Sequence, residues 1–194
     1  MSGFQITKFQ MMKQKPSNKF LIAILGLTIL AIYAFHFYGY GIIKIIRYIL
    51  LMYFLIIIAQ IDAKSKRIPN QIIISMLWMR LIILIIEIIL NIRLGYTLQL
   101  ILAPIMGLLF GGGIFLISYI ISRKGIGMGD VKLFAVIGAY TGPGVLMPCI
   151  IISLFLSALY SIIMLVRKKL TLKDSFAFGP FAAVGTIITL LVGF

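Results

Sequence analysis

Only four acidic side chains occur in this 194-residue sequence: Asp62, Glu87, Asp130 and Asp174. Two of them sit where chemistry could be done. Asp130 closes the segment GIGMGD, in which Gly125, Gly127 and Gly129 alternate with apolar residues. Asp62 opens the polar segment DAKSKRIPN, 62–70, directly after a long apolar run. Two carboxyl groups held a few ångströms apart cannot both ionise, so they share a proton. The ionised partner takes a proton from water, while the protonated partner polarises a carbonyl. Such a pair hydrolyses a peptide bond with neither a metal nor a covalent intermediate. Glycines, having no Cβ, let a backbone strand lie close beside the reacting group. Each acid also has a plain structural role open to it. An Asp ahead of a helix makes a good N-cap, and Asp62 could simply end an apolar span at an interface.

The elements that must position these residues follow from composition. Hydrophobic residues are 62% of the chain and charged residues 11%, with a mean hydropathy of +1.18. A soluble domain is about half apolar and a quarter charged. The excess falls in several long blocks, which predicts an all-α, polytopic transmembrane bundle. The blocks cover 20–38, 42–61, 71–90, 98–121, 131–140, 145–166 and 175–194. That makes about seven helices, or six if the short block 131–140 continues through the TGPG turn at 141–144. The first block is longer than the apolar core of a signal peptide and lacks a small-residue cleavage site. Two regions result: a basic cytoplasmic N-terminal segment, 1–19, and a transmembrane domain, 20–194.

Lys and Arg concentrate in the head, in 62–70, in 122–130 and in 167–174, and are nearly absent from the alternating loops. This places the N-terminus in the cytoplasm and the C-terminus outside. Asp62 and Asp130 then share one membrane depth, at the cytoplasmic ends of two spans. The net charge of +14 fits cytoplasmic loops against anionic lipids rather than nucleic acid. Lys64, Lys66, Arg67 and Lys132 would mostly face headgroups. Lys44 and Arg47 would snorkel to the interface.

The remaining polar residues have simpler assignments. Cys149 is the sole cysteine, which excludes an internal disulfide and a Cys-rich zinc site. His36, without an acid nearby, is an interfacial aromatic and not a metal ligand. Glu87, inside a span, is expected to be protonated or paired. Asp174 precedes the last span as a cap and lies on the side of the carboxylate pair. Gly107 and Gly111 have the small-xxx-small spacing of close helix contacts. Pro69 and Asn70 fit a turn that starts the third span and shapes the surroundings of Asp62. Trp78 is a lipid or packing contact.

The segment DAKSKRIPN, Asp62 to Asn70, resembles the first catalytic segment of the type IV prepilin peptidases. GMGDVKL, Gly127 to Leu133, resembles the second, and Phe178, Gly179 and Pro180 are similar to a third recurrent element. The resemblance covers about Leu50 to Phe194. It implies an aspartic endopeptidase of the bacterial cytoplasmic membrane that cuts the basic leader from prepilin or pseudopilin precursors, on the cytoplasmic side and ahead of their hydrophobic helix. It also implies Asp62 and Asp130 as the catalytic pair, with Gly127, Gly129, Lys132, Pro69, Asn70, Gly179 and Pro180 shaping the site, and it calls for no cofactor. Bifunctional members carry a methyltransferase domain between the first two spans. Only a Gly-Tyr-Gly turn, 39–41, stands there in this chain, which implies a peptidase-only form. The presenilin-like proteases that share the GxGD motif usually carry Tyr-Asp on the preceding catalytic span, whereas Asp62 follows Ile61. Read from the residues alone, a small transporter or channel component binding protons or cations at the two aspartates, and a non-catalytic assembly subunit, are the rivals.

Overall fold

An apolar stretch in lipid has no water to satisfy its peptide groups, so it must close its hydrogen bonds internally. The computed structural model describes residues 18–91, 97–122, 126–168 and 176–194, and helices account for nearly all of them. They are α1 (Asn18–Phe37), α2 (Ile42–Ser65), α3 (Asn70–Asn91), α4 (Thr97–Ile121), α5 (Met128–Val166) and α6 (Gly179–Val192). α2, α3, α4 and α5 are long and apolar enough to cross a membrane by length and composition. The expectations for residues 1–17, Arg93, Gly125 and Asp174 fall outside the described residues.

The fifth helix is two segments joined at a break. Gly142 has φ 78° and ψ 169°, and Pro143 follows it. That backbone conformation is open to glycine and closed to most other residues. The chain reverses at this point. Leu154 and Ser157 line the same cleft as Asp130, although a straight helix would carry Leu154 about 36 Å from Asp130. The Phe134 carbonyl and the Leu146 side chain also meet at Gly111. Segments 128–141 and 143–166 thus correspond to the two blocks read from sequence on either side of TGPG. Six helices are present among the described residues, and the break divides α5 into two segments.

Glycines set the tightest seam. A Cβ on Gly107 would run into the Gly138 carbonyl, and one on Gly111 into the Phe134 carbonyl. The small-xxx-small pair therefore lets α4 and the first half of α5 touch backbone to backbone. In lipid this counts, because helix association there depends on packing more than on the hydrophobic effect. Leu51, Leu55 and Ile58 of α2, Leu133, Phe134 and Ile137 of α5 and Leu190 of α6 fill the interior. Leu109, Ile151 and Phe155 point outward, and so does Trp78.

A charged cluster ties the bundle together away from the aspartates. Glu87 accepts from Arg47 at 2.7 Å and from Arg80 at 2.9 Å. Arg80 Nε also donates to the Ala139 carbonyl at 2.8 Å. Glu87 is thus paired, one of the two states expected for it. Arg47, expected to snorkel outward, turns inward because a buried carboxylate offers it a charged partner. One network now links α2, α3 and α5. Lys44 takes another route, with Nζ 3.5 Å from the centre of the Tyr40 ring.

Candidate active site

Asp62 lies one turn before the end of α2, and its backbone carbonyl accepts the Lys66 N–H at 2.7 Å. Lys66 closes the helix in a left-handed conformation, φ 50°. The chain then turns through Arg67 and Ile68, and α3 begins at Asn70, with the Pro69 carbonyl accepting the Ile72 N–H at 3.2 Å. Asp62 is only 4% exposed. It therefore does not serve as a solvated span terminator.

Asp130 is the third residue of α5. The N-cap position belongs to Gly127, which makes no side-chain capping bond. Asp130 is thus not the N-cap residue, although its carboxylate folds back on the N-cap glycine. Its N–H bonds the Gly127 carbonyl at 3.0 Å, which folds the GMGD turn back over the carboxylate. A Cβ on Gly127 would lie 3.1 Å from Asp130 Oδ2.

The two carboxylates, distant in sequence, line one cleft of about 790 Å³. They are near enough for the charge of Asp62 to be felt at Asp130. The cleft sits at one end of the bundle, where the C-terminal end of α2 meets the N-terminal ends of α5 and α6.

Two glycines explain how the walls come so close. A Cβ on Gly129 would press on Ile68 at 3.1 Å, which locks the Asp130 turn against the Asp62 turn. A Cβ on Gly179 would meet Asp62 Oδ2 at 2.8 Å. In its absence the Gly179 N–H donates to that same oxygen at 2.8 Å. Pro180 follows at the start of α6, where a missing N–H costs the helix nothing. The positive end of a helix therefore faces the Asp62 carboxylate. Phe178 stacks near Phe134, with ring centres 5.8 Å apart, and Phe134 on Phe115 at 4.1 Å. This aromatic column backs the cleft and fixes the loop that carries Gly179.

All the sequence-predicted site residues except Pro69 and Pro180 either line the cleft or touch a carboxylate that does. Lys132 lines it too but bonds Asn70 Oδ1 at 3.0 Å. Lys66 and Arg67 stand in the cleft wall, where a lipid-headgroup role had been expected of them. Phe115 and Ser157 were not anticipated. Each sits in an apolar helical stretch with no motif around it, and only the reversal at Gly142 brings Ser157 within reach of Asp130.

Fold and site together define a polytopic helical protein with a two-carboxylate cleft at one end of its bundle. Residues 49–162 match the type IV leader peptidase family, and the chain belongs to it. Its relatives include proteins named prepilin leader peptidase/N-methyltransferase. The one from Bacillus subtilis is 30% identical over 139 residues, covering 72% of this chain and 52% of its own length. That from Xanthomonas campestris is 25% identical over 180 residues, covering 88% and 56%. That from Pseudomonas aeruginosa is 29% identical over 149 residues, covering 75% and 49%. The chain thus spans about half the length of the curated relatives it matches. No solved structure matches it.

Proposed function

We propose that this chain is an aspartic endopeptidase of the bacterial cytoplasmic membrane that removes the basic leader of prepilin-like precursors. The observation that carries this reading is the pairing of Asp62 and Asp130 in one cleft within a chain of the type IV leader peptidase family. A water between the carboxyl groups is the nucleophile. One carboxylate takes its proton as it attacks the scissile carbonyl, and the other carboxylic acid donates to the carbonyl oxygen. The tetrahedral intermediate collapses when the amide nitrogen receives a proton from the pair and the C–N bond breaks. The roles belong to the coupled pair and not to fixed members of it. The Gly179 N–H holds the Asp62 carboxylate in one orientation through the cycle. The reaction needs no cofactor.

The cut falls on the cytoplasmic side, with the N-terminus of the chain in the same compartment; the distribution of Lys and Arg supports this. Residues 38–41 alone join α1 to α2, so no domain is inserted between them. We assign the chain the peptidase activity without the methyltransferase activity in its relatives' names. The anionic lipid surface holds both the basic enzyme and the basic leader.

The test is co-expression with a pilin-like precursor, scoring leader removal by the shift in precursor size. The native chain and Asp174→Asn are expected to process it, while Asp62→Asn and Asp130→Asn leave it intact. Processing by either of the latter two would exclude the two-carboxylate mechanism.

A further inference from the structure

A second concavity, of about 370 Å³, opens on the flank of the bundle beside the carboxylate cleft. Ile73, Ile74 and Leu77 of α3 form one wall, and Ala135 and Val136 of α5 the other. Asn70 and Lys132 close one end. Positions 70, 73, 74 and 77 lie on one face of α3, and 132, 135 and 136 on one face of α5. The groove therefore runs for about 10 Å, two turns, along α3 and for about 6 Å, one turn, along α5. Asn70 and Lys132 also line the carboxylate cleft. Their 3.0 Å hydrogen bond is the boundary between the two spaces.

We propose that this groove seats the apolar transmembrane segment of the protein being cut, with the Asn70–Lys132 bridge as the threshold its leading end crosses to reach the carboxylates. The inference rests on the peptidase reading and adds where the substrate docks. Three features favour a polypeptide over a lipid chain. The groove is continuous with the cleft, so an occupant of one emerges at the other. Its polarity changes once, from apolar walls to an amide and an ammonium, as a substrate does where its membrane helix gives way to a polar leader. A helix that unwinds for cleavage also exposes peptide groups that need partners at that depth. The Asn70 amide and the Lys132 ammonium stand where that unwinding would occur and can meet the freed peptide groups.

The test compares two substrates: a full precursor, and a water-soluble peptide that spans the cut but lacks the apolar segment. Ile74→Trp fills the groove. It is expected to lower the kcat/KM ratio of precursor to peptide on the order of tenfold, the effect of overpacking a fitted site. Phe155→Trp, on the exposed surface of the second half of α5, is expected to leave that ratio at the native value. A photoreactive residue at position 74 of the Asp130→Asn chain provides a second measurement and is expected to label the precursor's apolar segment. An unchanged ratio in Ile74→Trp, or labelling of lipid alone from position 74, overturns the docking site while leaving the peptidase reading intact. A native chain that cuts neither substrate overturns both.

Discussion

The backbone N–H of Gly179 donates to Oδ2 of Asp62 at 2.8 Å, joining the start of α6 to the end of α2 across 117 positions. No side chain fits between them, since a Cβ at 179 would stand 3.0 Å from the Asp62 Cβ as well as 2.8 Å from the oxygen. The glycine is therefore both the donor and the gap that admits the donor.

Gly179→Ala is expected to push the Asp62 carboxylate out of line and cost on the order of 10²-fold in kcat, the usual penalty for a displacement of about 1 Å. Substrate docking on the flank should survive, so KM moves little. Steady-state kinetics in detergent separates the two constants. A native kcat would show that the carboxylate does not depend on this contact.

The two aspartates act as one unit in the proposed reaction. Asp62→Asn and Asp130→Asn should each abolish cleavage, and the double substitution should do no further harm, because residues that act together are far from additive. Residual rates measured over long incubations decide this. A double variant slower than either single one by the product of their effects would mean independent roles.

Glu87 is the acceptor for two guanidinium groups whose side chains are 14% and 6% exposed. Glu87→Ala leaves both cations buried without it and is expected to cost about 3–5 kcal/mol of stability. Glu87→Gln keeps an acceptor and should cost less. Thermal unfolding in a fixed detergent ranks them. Equal melting temperatures for Glu87→Ala and the native chain would contradict a binding role for the cluster.

Glycines on one helix should separate by what they face. Gly107→Ala drives a methyl group into the Gly138 carbonyl and is expected to destabilise by about 1–3 kcal/mol. Gly113, also on α4, has nothing within 4 Å of an added Cβ. Gly113→Ala is expected to be neutral or to stabilise by about 0.5–1 kcal/mol through the helix preference for alanine. The same unfolding measurement checks both.

Lys66, Arg67 and Lys132 line the cleft, while the proposed leader is itself basic. Added salt screens that repulsion. Cleavage by lipid-free enzyme in detergent is expected to hold steady or rise modestly between low and physiological salt. A steep fall in substrate affinity would mean that attraction to Asp62 and Asp130 outweighs the repulsion from these three cations.

Much of the architecture was legible because lipid narrows the choices. Apolar blocks of spanning length must be helices, and the TGPG turn marked the break that Gly142 makes. The carboxylate pair was legible for a related reason: four acids in so apolar a chain stand out, and two of them fell at one depth. Partners set by long-range packing were not visible. Arg47 and Glu87 lie on different helices, and neither carries a local signal for the other. Arg80 and Glu87 are two turns apart on one face of α3, a spacing compatible with their pairing. Asp130 is not the N-cap because the helix starts at Met128, three residues before the apolar block 131–140. Ser157 reaches the cleft only through a chain reversal whose angle no local motif encodes.

The Asp62–Gly179 contact has a temporal meaning. Synthesis places Asp62 and Asp130 in the membrane well before residue 179 leaves the ribosome. Until α6 arrives, the Asp62 carboxylate lacks the donor that orients it. Until α6 is in place, a nascent chain therefore lacks the oriented carboxylate on which the proposed hydrolysis depends.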